Sequence, residues 1–199
     1  MSLQQPDLGV LRKAQRGDER AFSLIVRAYE TPVYNYVLRL VGGDRALAED
    51  LTQEVFLRVY QGLPGFSDRS RFTTWLFQVT KNRVLDELRA LERRPRAVVA
   101  LDDIPPLEVV DQPFERTETI DAVWRAVESL TVDLKMALLL RDVVGLSYTE
   151  IADALEITLA TVKWRIYKAR EDVAIALARD GITARTATTT RAPAVAAAE

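Results

Sequence analysis

One stretch of the sequence, residues 66–75, contains both aromatic and basic side chains. Phe66, Phe72 and Trp75 are interleaved with Arg69 and Arg71. Aromatic rings stack on unpaired bases and guanidinium groups hold phosphates, so the pattern is typical of a surface that binds single-stranded or melting DNA. Aromatic residues at helical spacing more often pack in a core, however, and we assign Trp75 to core packing.

A polar stripe follows this stretch at helical spacing. Asn82, Asp86, Arg89 and Arg93 are separated by four, three and four residues, so one face of a helix carries all four. An amide can bond to a base edge, and arginine can contact phosphate. The stripe therefore extends the predicted DNA surface.

A second candidate surface lies on the last predicted helix, from Leu159 to about Ala178. Its apolar face consists of Val162, Ile166, Ala169 and Val173. The opposite face consists of Ala160, Lys163, Trp164, Tyr167, Lys168 and Glu171. A helix that needs only to be soluble does not require exposed aromatic rings, which could contact thymine methyl groups in DNA. The alternative is a protein contact that buries these rings.

The amino-acid composition excludes many kinds of catalytic and metal-binding site. The 199 residues include no His and no Cys, which excludes Cys nucleophiles, His bases, zinc knuckles and disulfides. We therefore expect a protein that is not an enzyme and uses no metal or cofactor. The formal charge of -2 disfavours indiscriminate coating of nucleic acid. Without a signal pattern or a long apolar run, we expect a cytoplasmic protein that does not insert into a membrane.

Helical periodicity throughout, without sustained alternation of apolar and polar residues, predicts an all-α fold. Residues 101–120 carry three of the eight prolines and six acidic side chains against one basic, which predicts a flexible linker. We expect two small helical domains at 8–95 and 120–180, an acidic linker at 96–119 and a disordered tail at 181–199. An ordered surface loop is the alternative to the linker.

Start and stop signals divide each domain into helices. Thr31 before Pro32 predicts a helix start, and Gly42 and Gly43 predict a stop. Further helices are expected over residues 45–61, 73–93, 119–129 and 132–144, the last ended by Gly145. Ser147 and Glu150 form a capping box that begins a short helix. With the helix from Leu159, it makes a helix-turn-helix.

Two segments together resemble a known family. AEDLTQEVFLRVY (48–60) and GFSDRSRFTTWLFQVTKNRVLDELR (65–89) resemble region 2 of the bacterial extracytoplasmic-function (ECF) sigma factors, within the sigma-70 family. ESLTVDLKMALLLRDVVGLSYTEIADALEITLATVKWRIYKARE (128–171) resembles region 4 of the same family. The resemblance implies a factor that binds core RNA polymerase and directs initiation at promoter DNA, controlled by an anti-sigma factor.

The resemblance also assigns roles to residues. Asp50, Gln53 and Glu54 correspond to a polymerase-docking face, with a solvated helix face as the alternative. The loop 66–74 would capture an extruded base of the minus-10 element, and Asn82 would read another. Asp86 and Arg89 would either read DNA or form a local ion pair. The full set of candidate DNA contacts is Phe66, Arg69, Arg71, Asn82, Arg83, Asp86, Arg89, Arg93, Thr161, Lys163, Trp164, Arg165, Tyr167 and Lys168.

The chain departs from the family pattern in region 4. Glu156 stands where the family usually has Gly or another small residue near the turn. Ala160 stands where a Gly usually opens the recognition helix, and Trp164 stands where Ser is usual. Arg165 and Arg170 match recurring arginines that hold either phosphate or the fold. Thr131 replaces the usual Pro before its helix and is expected to cap it. The acidic linker would be attracted to the basic polymerase channel that later carries RNA.

Two other functions remain open from the sequence. One is a stand-alone helix-turn-helix regulator, although the acidic charge disfavours independent DNA binding. The other is a helical adaptor whose aromatic faces bind only proteins. An enzyme is disfavoured because the remaining acids and bases form no recognisable constellation.

Overall fold

The computed structural model describes residues 3–67, 70–93 and 118–182, and within these ranges all regular structure is helical. The first four helices are α1 (Leu8–Gln15), α2 (Glu19–Leu40), α3 (Arg45–Gly62) and α4 (Phe72–Arg93), with a 3₁₀ turn at Leu63–Gly65. The last four are α5 (Glu118–Glu128), α6 (Val132–Leu139), α7 (Tyr148–Leu155) and α8 (Leu159–Arg179), with a π turn at Leu140–Val144. The predicted all-α fold is confirmed.

Side-chain caps fix where several helices begin. Asp18 and Asp44 each accept a hydrogen bond from a backbone N–H of the first turn that would otherwise lack a partner. The predicted capping box of Ser147 and Glu150 is present at the start of α7. Thr131 is the N-cap residue of α6, but its side chain makes no capping hydrogen bond, so that expectation was wrong.

The predicted helix start at Thr31 and Pro32 was also wrong, because α2 continues through Pro32 to Leu40. A proline inside a helix removes one backbone hydrogen bond. The next turn nevertheless buries Val33, Tyr36 and Val37 completely. Burial of these three side chains outweighs the local signal at Pro32.

Helices α1–α4 form an N-terminal bundle, and α5–α8 form a C-terminal bundle. The N-terminal bundle is centred on the fully buried rings of Tyr29, Tyr36, Phe72 and Phe77. In the C-terminal bundle, α6 continues into the π turn, which ends at Gly145 with φ at 86°. That left-handed conformation suits glycine because it has no Cβ. The helix-turn-helix of α7 and α8 follows this turn in the chain.

The two bundles pack against each other, and their buried side chains form one connected apolar cluster. Helix α7 lies on α4, while α6 and the π turn approach α2. Most of the predicted linker and residues 183–199 of the predicted tail lie outside the described residues. Within the described ranges, no helix is both long and apolar enough to cross a membrane.

Candidate nucleic-acid interface

The aromatic cluster after α3 is part of the core. Phe66 is buried, and its ring centroid lies 5.0 Å from that of Trp75 and 5.9 Å from that of Phe72. A Cβ at Gly62 would lie 3.1 Å from the Trp75 ring, so glycine permits this close approach. Trp75 thus packs as expected. Phe66, one of the candidate DNA contacts, is enclosed against the rings of Phe72 and Trp75. Arg69 lies outside the described residues.

The polar stripe of α4 faces solvent as predicted. Asn82, Asp86, Arg89 and Arg93 are all exposed. Asp86 lies 3.8 Å from Arg89 and 3.6 Å from Arg58 on α3. The pairing with Arg89 matches the local ion-pair alternative for these two residues. Asn82 therefore lies on an exposed surface shaped by this charge cluster.

Arg83 has a different environment from its neighbour Asn82. Its side chain is buried, with Nε donating to Glu54 and Nη2 to Glu87 at 2.8 Å. The hydrogen bond to Glu54 is the main reason that the pKa of Arg83 is raised, and the same bond lowers the pKa of Glu54. In this structure Arg83 fastens α4 to α3 and its guanidinium is not available to DNA.

The candidate polymerase-docking face lies on α3. Asp50 and Gln53 are exposed, and Glu54 is also exposed but turned toward Arg83. Asp50 forms no ion pair within the described residues, whereas Glu54 joins the two helices through Arg83.

Helix α8 presents its aromatic face to solvent. Trp164 is 59% exposed and Tyr167 is 68% exposed. Lys163 is exposed beside them, and Tyr148 with Tyr167 lines a shallow cleft on this face. Exposed rings of this size next to a lysine form a surface that could enter a DNA groove.

The start of α8 is fixed by two threonines. Thr158 accepts a hydrogen bond from the Thr161 N–H, and the two hydroxyl oxygens are 2.8 Å apart. Thr161, one of the candidate DNA contacts, therefore helps to order the first turn of the helix. Lys168 extends from the same face to Glu171 and Asp172 at 2.8 and 2.9 Å, and the bond to Glu171 is the main reason that its pKa is raised.

Two arginines of α8 fasten it within the C-terminal bundle. Arg165 Nη2 lies 2.9 Å from Asp133 of α6, and Arg170 Nη2 lies 2.6 Å from Asp142 of the π turn. These arginines were predicted to hold either phosphate or the fold. In the structure their ion pairs hold the fold.

Sequence reasoning missed the contacts between the two bundles. Arg71 lies 2.8 Å from Glu150, and Lys81 lies 2.6 Å from Glu156. Arg39 lies over the Trp124 ring, 3.7 Å from its centroid. The two ion pairs join residues 79 and 75 positions apart in the chain, so no local pattern could have revealed them.

Within the described ranges, no group of three or more acidic, His or Cys side chains is placed to hold a metal ion. The exposed groups on the two faces are aromatic rings, an amide, cations and carboxylates.

Comparisons with known proteins agree with this arrangement. Residues 25–94 match the family model of sigma-70 region 2, and residues 120–173 match that of sigma-70 region 4. The RNA polymerase sigma-H factor of Pseudomonas aeruginosa is 34% identical over 187 residues, covering 89% of this chain and 96% of that protein. The ECF RNA polymerase sigma-E factor of Escherichia coli K12 is 35% identical over 190 residues, covering 87% and 95%.

Solved structures share the fold at lower identity. CnrH, in complex with the cytosolic domain of CnrY, is 21% identical with a TM-score of 0.64 and covers 86% of this chain and 96% of its own. The sigma factor RpoE of Bartonella quintana, in complex with the anti-sigma factor NepR, is 22% identical with a TM-score of 0.65 and covers 80% and 98%. Given the two family matches and the identity to curated relatives over most of its length, the chain belongs to the ECF group of sigma-70 family RNA polymerase sigma factors.

Proposed function

We propose that the chain is an alternative sigma factor that binds core RNA polymerase and directs initiation at promoters with minus-10 and minus-35 elements. Residues 8–95 would act as region 2, 96–119 as a linker and 120–180 as region 4. The single observation that carries this proposal is the pair of exposed faces, one on each bundle, in regions that match the two DNA-reading regions of the family.

Region 2 is proposed to read the minus-10 element with the exposed stripe of α4. Asn82 supplies an amide for a base edge, and Arg71, Arg89 and Arg93 supply charge for phosphates. The loop before α4 would receive an extruded base. Each stacked base is worth about 1 to 3 kcal/mol, so capture of bases can support melting without a catalytic group.

Region 4 is proposed to place α8 in the major groove of the minus-35 element. Lys163, Trp164 and Tyr167 would meet base edges and thymine methyl groups. Lys168 would contact phosphate once DNA competes with Glu171 and Asp172. Arg165 and Arg170 act instead by keeping α8 in position.

The partners follow from these assignments. Asp50, Gln53 and Glu54 are proposed to dock on core polymerase, with two carboxylates and an amide facing basic side chains. We also propose control by an anti-sigma factor, because the Bartonella quintana sigma factor RpoE, which shares the fold, forms a complex with the anti-sigma factor NepR. A protein with this role acts in the cytoplasm and catalyses no reaction itself.

Run-off transcription tests the proposal. Purified core polymerase would be mixed with promoter templates of randomised sequence, with and without the chain. We expect defined transcripts only when the chain is present, and their templates should be enriched for two elements at fixed spacing. A gel-shift assay without polymerase is the control, because tight specific binding there indicates a stand-alone regulator. Failure to stimulate any template would contradict the proposal and favour an adaptor.

A further inference from the structure

The chain before α1 passes the start of α4. Residues 3–7 have no regular secondary structure, and the side chain of Leu3 packs against the apolar core. The buried Tyr29 donates a hydrogen bond from its hydroxyl to the carbonyl oxygen of Gln4, and its ring centroid lies 5.4 Å from that of Phe72, the first residue of α4. The N-terminal segment is therefore anchored beside the loop that we propose to receive an extruded base.

Gln5 binds the first turn of α4 from a distant part of the sequence. Backbone N–H groups at the start of a helix have no partner within the helix, and the side chain of Arg71, the residue before α4, carries no acceptor for them. Gln5 supplies one, since its Oε1 lies 3.5 Å from the Thr73 backbone nitrogen. Its Nε2 also donates to Thr73 Oγ1 at 2.5 Å. One amide thus contacts two polar groups of a single residue after the loop.

Gln15 binds the other end of the same loop. It is the last residue of α1, and its Nε2 donates a hydrogen bond of 2.9 Å to the carbonyl oxygen of Phe66. Helix α1 is itself held in place, because Leu11 and Ala14 are buried in the N-terminal bundle. Gln15 and Gln5 therefore bind the backbone before and after the loop.

Fixing both ends of a loop reduces the cost of binding. A loop that becomes ordered only when it binds loses affinity to that ordering, whereas a preformed loop does not. The rings of Phe66, Phe72 and Trp75 pack together next to this loop, but apolar contacts are not directional. Hydrogen bonds have defined distances and angles, so Gln5 and Gln15 constrain the backbone where the rings do not.

We propose that Gln5 and Gln15 are positioning residues, the two glutamine clamps, which hold the ends of the loop at Phe66 and Thr73 so that it is preformed to capture an extruded base of the minus-10 element. The proposal rests on the proposed function, because it names what prepares the same loop. Neither glutamine contacts the base itself. Both lie before residue 25, where the match to the region 2 family model begins, so the clamps add a part of the chain that this match does not include.

The two clamps differ in which partner donates the hydrogen. Both groups of Thr73 that meet Gln5, the N–H and the hydroxyl, can donate, so a carboxylate at position 5 keeps both contacts. The positive end of the α4 dipole also favours a negative charge there. The partner of Gln15 is the Phe66 carbonyl oxygen, which only accepts, so a carboxylate at position 15 places two acceptors together. Replacing Gln by Glu should therefore preserve the first clamp and break the second.

Capture of single-stranded DNA by the holoenzyme gives the direct test. The probe is a dye-labelled single-stranded oligonucleotide that carries the minus-10 sequence selected with the unaltered chain in run-off transcription. The variants are Gln5→Ala, Gln5→Glu, Gln15→Ala and Gln15→Glu. The control is Gln4→Glu, which adds the same charge next to Gln5 at an exposed side chain that forms no hydrogen bond within the described residues.

We expect Gln5→Ala, Gln15→Ala and Gln15→Glu to weaken oligonucleotide binding by about threefold to tenfold, the equivalent of one hydrogen bond. Gln5→Glu and Gln4→Glu should stay within about twofold of the unaltered chain. Affinity for core polymerase should be unchanged in every variant, because no altered residue lies on the docking face of α3. Equal effects of Glu at positions 5 and 15, or parallel losses of oligonucleotide and polymerase binding, would overturn the clamps.

Fluorescence of Trp75 tests the clamps on the free chain. The sequence has three tryptophans, so a background with Trp124→Phe and Trp164→Phe leaves Trp75 alone, with its ring packed on that of Phe66. Adding Gln15→Glu should increase acrylamide quenching of Trp75 as the loop loosens, whereas the same change at Gln5 should not. Circular dichroism checks that both variants remain helical. Unchanged quenching in Gln15→Glu would show that the loop keeps its place without this bond and would overturn the proposal.

The clamps and the proposed function fail in different ways. If the unaltered chain gives no promoter-specific transcript, the proposed function fails, and the role of the clamps in base capture fails with it. If transcription is promoter-specific but all glutamine variants bind the oligonucleotide as the unaltered chain does, the clamps fail alone. Opposite effects of Glu at positions 5 and 15, with polymerase affinity unchanged, support both.

Discussion

At the scale of single residues, neighbouring positions on α4 have opposite roles. Asn82 and Arg83 were both candidates for DNA contact, although only Asn82 lies on the polar stripe that helical spacing predicts. The structure exposes Asn82 and buries Arg83 between Glu54 and Glu87. Burial, and not residue type, therefore distinguishes a side chain that can reach DNA from one that joins two helices.

Substituting these two residues should separate stability from promoter reading. Arg83→Ala leaves the largely buried Glu87 without its cation, so we expect a loss of about 2 kcal/mol in the free energy of unfolding. Asn82→Ala should change that free energy by less than about 0.5 kcal/mol. Urea unfolding measures both. In run-off transcription, Asn82→Ala should lose activity while remaining fully folded. Equal stability losses in the two variants would contradict these assignments.

At the scale of elements, α8 combines a fastened side with an open side. Arg165 and Arg170 tie it to Asp133 and Asp142, while Trp164 and Tyr167 remain exposed. A recognition helix must be held rigidly if its exposed side chains are to meet base edges in a defined register. The ion pairs of α8 thus hold in place the helix whose aromatic face we propose to read DNA.

Trp164 is expected to influence which minus-35 sequence is selected. Replacing it with Ser, the usual residue of the family, removes a large exposed ring and should change the unfolding free energy by less than about 0.5 kcal/mol. Selection of active templates from a library randomised at the minus-35 element should then yield a different preferred sequence. Ile175→Ser, which removes another exposed apolar side chain of α8, is the control. An unchanged preference in Trp164→Ser would remove Trp164 from the reading surface.

At the scale of the whole molecule, charge is divided between the two bundles. Residues 1–100 carry 16 basic and 12 acidic side chains, whereas residues 121–180 carry 8 basic and 10 acidic. The ion pairs between the bundles follow this division, since every cation comes from the N-terminal bundle and every anion from the C-terminal one among the described contacts. The near-neutral total thus conceals an attraction between the halves.

Trp124 should report whether the bundles are in contact. Arg39 of α2 covers its ring and lies 3.9 Å from Glu128, so Arg39→Gln weakens a cation–π contact and an ion pair together. In a background with Trp75→Phe and Trp164→Phe, we expect the acrylamide quenching constant of Trp124 to rise about twofold as its ring becomes solvated. Arg20→Gln, at an exposed arginine of the same helix, should leave quenching unchanged. Identical quenching in both variants would contradict the contact.

Much of the fold follows from local sequence signals. Helical periodicity, the Ser147 box and the glycine stops predicted the helices from α3 onward to within about two residues, counting the π turn with α6, because each signal acts over only a few residues. The bounds of α1 and the start of α2 at Glu19 were not predicted. The helix start predicted at Pro32 was wrong for the same reason, the short range of such signals. The local effect of the proline on the helix is weaker than the stabilisation from burying the turn that follows it. The exposed aromatic face of α8 was equally predictable from a helical wheel.

The sequence by itself determined the helices, the family and the two candidate DNA faces. Only the tertiary structure decided that Phe66 and Arg83 are enclosed, that Arg165 and Arg170 fasten α8, and that Glu156 pairs with Lys81. The physical reason is range. Capping and periodicity depend on near neighbours in the chain, whereas burial and ion pairing depend on which distant segments meet, and pairs separated by 75 or more residues leave no trace in local spacing.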